Sequence, residues 1–152
     1  VEGAFDVTLR SNPLRIDDIL QVDGFEGEVD VFVYTLSGRL VSAEELVVRW
    51  LETRTETELE IYAVGEGSGR EMYDYGWIRD LDSRRVVWEM EYQDTDHAGG
   101  AQKNREVRDV ITLPAGEYEV IYETDGSHSF GDWNDRQPDN PLMWGITVRA
   151  VD

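Results

Sequence analysis

Two histidines and a run of carboxylates are the side chains through which this 152-residue chain could do chemistry. His97 follows Asp96, and His128 stands three residues after Asp125, so two imidazoles and one carboxylate could hold a metal with open coordination positions. That reading makes the chain a metal-dependent enzyme of hydrolase type. No H-x-H or H-x-x-x-H spacing fixes both rings on one element, so the fold must bring them together. Ser127 or Ser129 beside His128 offers a nucleophile, yet sequence neighbours on an extended loop point apart. Calcium asks instead for oxygen ligands: Asp132, Asn134, Asp135 and Asp139 form such a run, with Asp125, Asp94 or Asp96 to complete a shell. Their spacing lacks the glycine and terminal glutamate of an EF-hand loop. A third chemistry is capture by aromatics. Tyr73, Tyr75 and Trp133 could stack on sugar rings or anchor a protein, with Asp74 and Asn134 supplying hydroxyl contacts. The plain alternative is that the loops fold onto each other, His97 and His128 acting as anchors and Gly99, Gly100 and Gly131 supplying backbone freedom. Trp77, Trp133 and Trp144 then plug the end of the core.

These residues lie in three polar stretches, Glu66 to Tyr75, Gln93 to Asn104 and Asp125 to Pro141, separated by segments of strand periodicity. In Arg85 to Tyr92, the residues Val86, Trp88, Met90 and Tyr92 share one face while Val87, Glu89 and Glu91 share the other. Tyr118, Val120 and Tyr122 alternate with Glu117, Glu119 and Glu123, and Thr57, Leu59, Ile61 and Ala63 alternate with Glu56, Glu58, Glu60 and Tyr62. Strands are expected at residues 4–10, 28–36, 46–52, 53–64, 76–81, 85–92, 106–113, 117–124 and 144–151, nine in all. One polar face on each predicts an antiparallel β-sandwich. Ser42-Ala43-Glu44-Glu45 has the form of a capping box, so Leu46, Val47, Trp50 and Leu51 read either as a short helical stripe or as the next strand, and the β context favours the strand. Asn12-Pro13 and Asp23-Gly24 mark early turns, where an edge strand could pair with a neighbouring chain. Leu113-Pro114-Ala115-Gly116 and Asp82-Ser83-Arg84 are tight turns. If both lie at one end of the sandwich, all three long stretches lie at the other.

Thirty-three acidic residues stand against 14 basic ones, a net charge of −19 that repels phosphate backbones and anionic membranes and argues against nucleic acid. Only Lys103 is a lysine; thirteen arginines make up the rest, a sign of a GC-rich genome or a salty habitat. There is no cysteine for disulfide, thiolate or zinc chemistry, and no apolar run near the roughly 18 residues a membrane span needs. The chain opens on Val1 with no signal-like stretch after it, which predicts a processed or trimmed terminus.

The region from about residue 46 to 148 resembles an uncharacterised bacterial extracytoplasmic β-sandwich family. The resemblance is carried by Tyr62-Ala63-Val64-Gly65-Glu66-Gly67, Glu71-Met72-Tyr73-Asp74-Tyr75-Gly76-Trp77-Ile78, the run from His97 to Arg105, Leu113-Pro114-Ala115-Gly116-Glu117-Tyr118 and the run from Asp125 to Asn134. The proline-alanine-glycine turn before a tyrosine strand is similar to jelly-roll modules appended to secreted bacterial proteins. It implies a periplasmic or secreted location and no particular activity. Residues 1–45 lie outside the resemblance, as N-terminal strands of one domain over residues 1–152. The expectation is a non-catalytic accessory module that docks to a protein partner through those strands and the loop end, with a carbohydrate- or calcium-binding module and the histidine metalloenzyme as alternatives.

Overall fold

Alternation of large apolar and acidic residues leaves one face of each segment to be buried, and two sheets do so against each other. The computed structural model describes residues 5–8, 30–32 and 46–151. Among them are ten strands: β1 (Phe5–Thr8), β2 (Asp30–Phe32), β3 (Leu46–Thr53), β4 (Thr57–Ser68), β5 (Glu71–Asp80), β6 (Val86–Glu89), β7 (Asp96–His97), β8 (Asn104–Leu113), β9 (Gly116–Glu123) and β10 (Gly145–Ala150). Single 3-10 turns occupy Tyr92–Asp94 and Pro141–Met143. Sheet A runs β1-β3-β9-β5-β6 and sheet B runs β2-β10-β4-β8-β7, antiparallel throughout. Leu51, Ile78, Tyr118, Val120 and Tyr122 of sheet A meet Leu59, Ile61, Ala63, Val107, Ile146 and Val148 of sheet B in the core.

The all-β antiparallel architecture is the expected one. β7 is an addition to the nine expected strands, and the stretch after the capping box is the strand β3. Residues 42–45, 12–13 and 23–24 lie outside the described residues. β1 pairs with β3 and β2 with β10, so both N-terminal strands add to the sheets of their own chain.

The largest departure is at Glu66 to Tyr75, expected as a loop. β4 continues through Ser68 and β5 starts at Glu71, so most of that stretch is a hairpin closed at Gly69 and Arg70. Gly65 is there for proximity: a Cβ on it would lie 2.0 Å from the Asp74 carbonyl oxygen. The register slips between Glu66 and Gly67, a bulge that bends the pair. Asp74 still pairs with Glu66 in sheet B, whereas Tyr75 pairs with Glu123 in sheet A, so β5 changes sheets at this point. Two single-residue expectations also change. Val86 is 51% exposed because the register slips between Ile78 and Arg79, so that Val86 pairs with Arg79 while Trp88 pairs with the inward Ile78. Trp77 is not a core plug; Ile78 takes the inward position of that register and Trp77 faces outward against Tyr75.

The two tight turns do share an end. The Leu81 N–H donates to the Glu117 carbonyl, and Tyr118 Oη and Thr53 Oγ1 both donate to the Pro114 carbonyl. Chain reversal at each turn sends the C-terminal ends of β4 and β9, the start of β8 and the short β7 to the opposite pole.

Candidate functional site at the loop end

The sheet change of β5 buries a carboxylate. Asp74 points inward at 0% exposure, where Oδ1 accepts the Asp125 N–H at 2.9 Å and Oδ2 accepts the Trp144 indole N–H at 3.2 Å. Burial pushes the Asp74 carboxyl up to about 8, reinforced by the negative charges of Asp125 and Glu66. Glu66, 5% exposed, is raised by burial as well, with Lys103 opposing. Its Oε2 meets Lys103 Nζ at 3.1 Å, and its Oε1 is buried without a hydrogen-bond partner. Tyr122 donates to the Val64 carbonyl at 2.6 Å, and burial beside these carboxylates holds its phenol protonated. Glu66, Asp74 and Asp125 can each offer an oxygen within 4.8 Å of the others. They are the three described residues placed to share a cation, and Lys103 already brings a positive charge to their edge.

Asn104, the first residue of β8, ties the second and third loops together. Its Nδ2 donates to the carbonyls of Gly99 at 2.8 Å and Arg136 at 2.9 Å. Those two acceptors identify the amide nitrogen, so Oδ1 must accept from His128 Nε2 at 2.6 Å, which fixes the Nε2–H tautomer. Ala101 N–H to Arg136 O and Asp139 N–H to Ala98 O close the same seam, and Lys103 Nζ donates to Asn134 Oδ1 at 2.7 Å. The seam needs Gly99 and Gly100, both at positive φ: a Cβ on either would fall about 2 Å from Asp139 or from the Gln137 carbonyl. Arg105 secures the β7 side by donating to Thr95 Oγ1 and to the Thr95 carbonyl.

The expected site residues divide between interior and surface. His128 is fully buried, its ring edge-on to Trp133 at 5.1 Å and Trp144 at 5.6 Å; burial and then Lys103 lower its pKa. It bonds neither Ser127 nor Ser129, and Ser129 is buried. His97 is exposed, and its Nε2 faces the carbonyls of Gly100 and Ala101, so it closes a local turn. Among the described residues no group of three convergent metal-ligating side chains includes a histidine. The oxygen run is not gathered either. Asp132 and Ser129 exchange backbone bonds, Asn134 Oδ1 is held by Lys103, Asp139 packs on Gly99, and Asp125 is drawn to Asp74 instead. Trp133 packs against Trp144 and Phe130, and so braces the rim rather than reaching outward. Asp74, expected at a binding surface, is interior. Tyr73 at 39% exposure and the half-buried Tyr75 remain at the surface. A cleft of about 360 Å³ opens between the hairpin tip at Gly67 to Gly69 and Tyr92, Gln102, Lys103 and Asp135, so all three stretches or their flanks line it.

Sequence reasoning placed His128, Lys103 and Asp125 at this end but gave no weight to Asn104 or Glu66. Asparagine carries no local signal when its partners lie 24 and 32 residues away. Glu66 follows a glycine that reads as a loop, although Gly65 in fact lets β5 approach. No protein-family model matches the chain, and a search of curated proteins finds no relative.

Proposed function

We propose that the chain is a non-catalytic interaction module that docks to a protein partner through its loop end, with the outer edges of β1 and β2 as further contact. The observation that carries this is the division of labour at that end. His128 closes on Asn104, His97 on the Gly100 and Ala101 carbonyls, and Asp74 on the Asp125 N–H and the Trp144 indole, while Tyr73, Tyr75 and Trp77 follow one another along the outer side of β5. Polar loops fixed on a rigid scaffold and exposed aromatics suit recognition, where little ordering entropy is lost on binding. The likeness of its motifs to modules of secreted bacterial proteins supports an extracytoplasmic setting. Replacing Tyr73 and Tyr75 together by alanine is expected to weaken partner capture in a pull-down about tenfold, as loss of interface anchors does. The melting temperature should fall by less than about 5 °C, since Tyr73 is exposed and Tyr75 only half-buried at the margin of the core. Undiminished capture by that variant contradicts the proposal.

A further inference from the structure

Tyr75 and Trp77 lie on one side of β5 with ring centroids 5.2 Å apart and planes inclined by 32°. Each has a carboxylate beside it on the ladder: Glu123 of β9 opposite Tyr75, and Glu89 of β6 opposite Trp77. Directly opposed residues bring their Cβ atoms to about 5 Å, so both carboxylates border the aromatic pair. Burial raises the Tyr75 phenol first, and Glu123 and Glu89 then add to that rise, as expected if both face its ring. Glu89 and Glu123 are exposed and have no basic partner among the described residues.

Elsewhere the chain fills this kind of position itself. The Arg108 guanidinium lies 3.9 Å from the Tyr62 ring centroid, and that of Arg105 lies 4.5 Å from the Tyr92 centroid. One step along the same face of sheet A, Arg79 pairs with Glu119. The Tyr75, Trp77, Glu89 and Glu123 group repeats the combination of ring and carboxylate without a guanidinium of its own among the described residues.

We propose that this group receives an arginine or lysine side chain of a basic partner protein. The inference rests on the docking reading above and gives the partner its chemistry. A cation over a tryptophan or tyrosine face is attracted by the ring quadrupole, and a flanking carboxylate adds a charge-assisted hydrogen bond. The net charge of −19 steers such a partner towards the surface, so association should slow as salt is added.

The test uses a capped Arg-Gly-Arg peptide, its citrulline counterpart of the same shape without charge, and the Trp77 indole N–H signal in NMR titration. The arginine peptide should move that signal and the citrulline peptide should not. Glu89→Gln with Glu123→Gln should weaken binding about tenfold. Glu56→Gln with Glu58→Gln removes the same charge near the β3–β4 turn and should change it less than about twofold. An unmoved Trp77 signal, equal binding of the citrulline peptide, or equal losses in the two double variants overturns the inference. If one of these occurs while Tyr73→Ala with Tyr75→Ala still weakens partner capture, the docking reading stands and only the basic partner falls.

Discussion

Replacing Asp74 by asparagine is expected to make the protein slightly less stable than wild type at pH 4 and more stable by several kcal/mol at pH 8. The folded-state pKa of this carboxyl is raised from 3.8 to about 8. The fold therefore holds a proton that the unfolded chain releases, and the favourable contribution is complete below the unfolded value. It is lost as pH rises through the window from about 4 to 8, at about 1.4 kcal/mol per pH unit, or up to about 6 kcal/mol in total. Asparagine has no such proton to lose. Its oxygen still accepts the Asp125 N–H, but its NH2 group faces the Trp144 indole N–H in place of an acceptor, which costs about 1 kcal/mol at low pH. Acidic groups away from this cluster are common to both proteins and cancel in the difference, while the repulsion from Asp125 and Glu66 is already part of the raised Asp74 value. Urea denaturation at a series of pH values checks this; two parallel stability curves would show that Asp74 is ionised at neutral pH despite its burial.

Asn104→Ala is expected to destabilise the fold by about 4 kcal/mol. It leaves the His128 Nε2–H and the Gly99 carbonyl without partners, each an unsatisfied buried or part-buried group at about 1 to 3 kcal/mol, and takes from the Arg136 carbonyl one of its two donors, the Ala101 N–H being the other. The damage should concentrate in the seam. In hydrogen exchange the amides of Ala101 and Asp139, which bond across it, should lose protection more than those of β9. A loss under about 1 kcal/mol, or uniform loss of protection, would mean that Asn104 does not hold the loops together.

The sandwich was legible because acidic residues mark the outward positions so regularly. Glu117, Glu119 and Glu123 alternate with Tyr118, Val120 and Tyr122, and the latter three are buried as that phase requires. The Pro114 turn was legible through its own backbone chemistry and, with the Asp82 turn, it correctly assigned the loops to one pole. Local pattern failed where tertiary approach decides. Gly65, Gly67 and Gly69 read as a loop but sit where β5 closes on β4. Both histidines were found, yet their roles depend on partners that the sequence does not display: Asn104 for His128, and the carbonyls of Gly100 and Ala101 for His97. The aromatic pairing of Tyr75 with Trp77 was missed because strand phase alone did not say which face of β5 meets the core after it changes sheets.

Nitrogen-15 NMR of the two imidazoles, as acid and then zinc are added, tests most directly whether the loop end is strut or catalyst. His128 should remain neutral and protonated on Nε2 at pH values below the ordinary histidine pKa of about 6.5, as its burial and the neighbouring Lys103 require. Zinc should not move the two rings together, because His128 is buried and, among the described residues, no group of three convergent metal-ligating side chains includes a histidine. Joint movement of the His97 and His128 signals on adding zinc would place both rings on one metal and contradict the account.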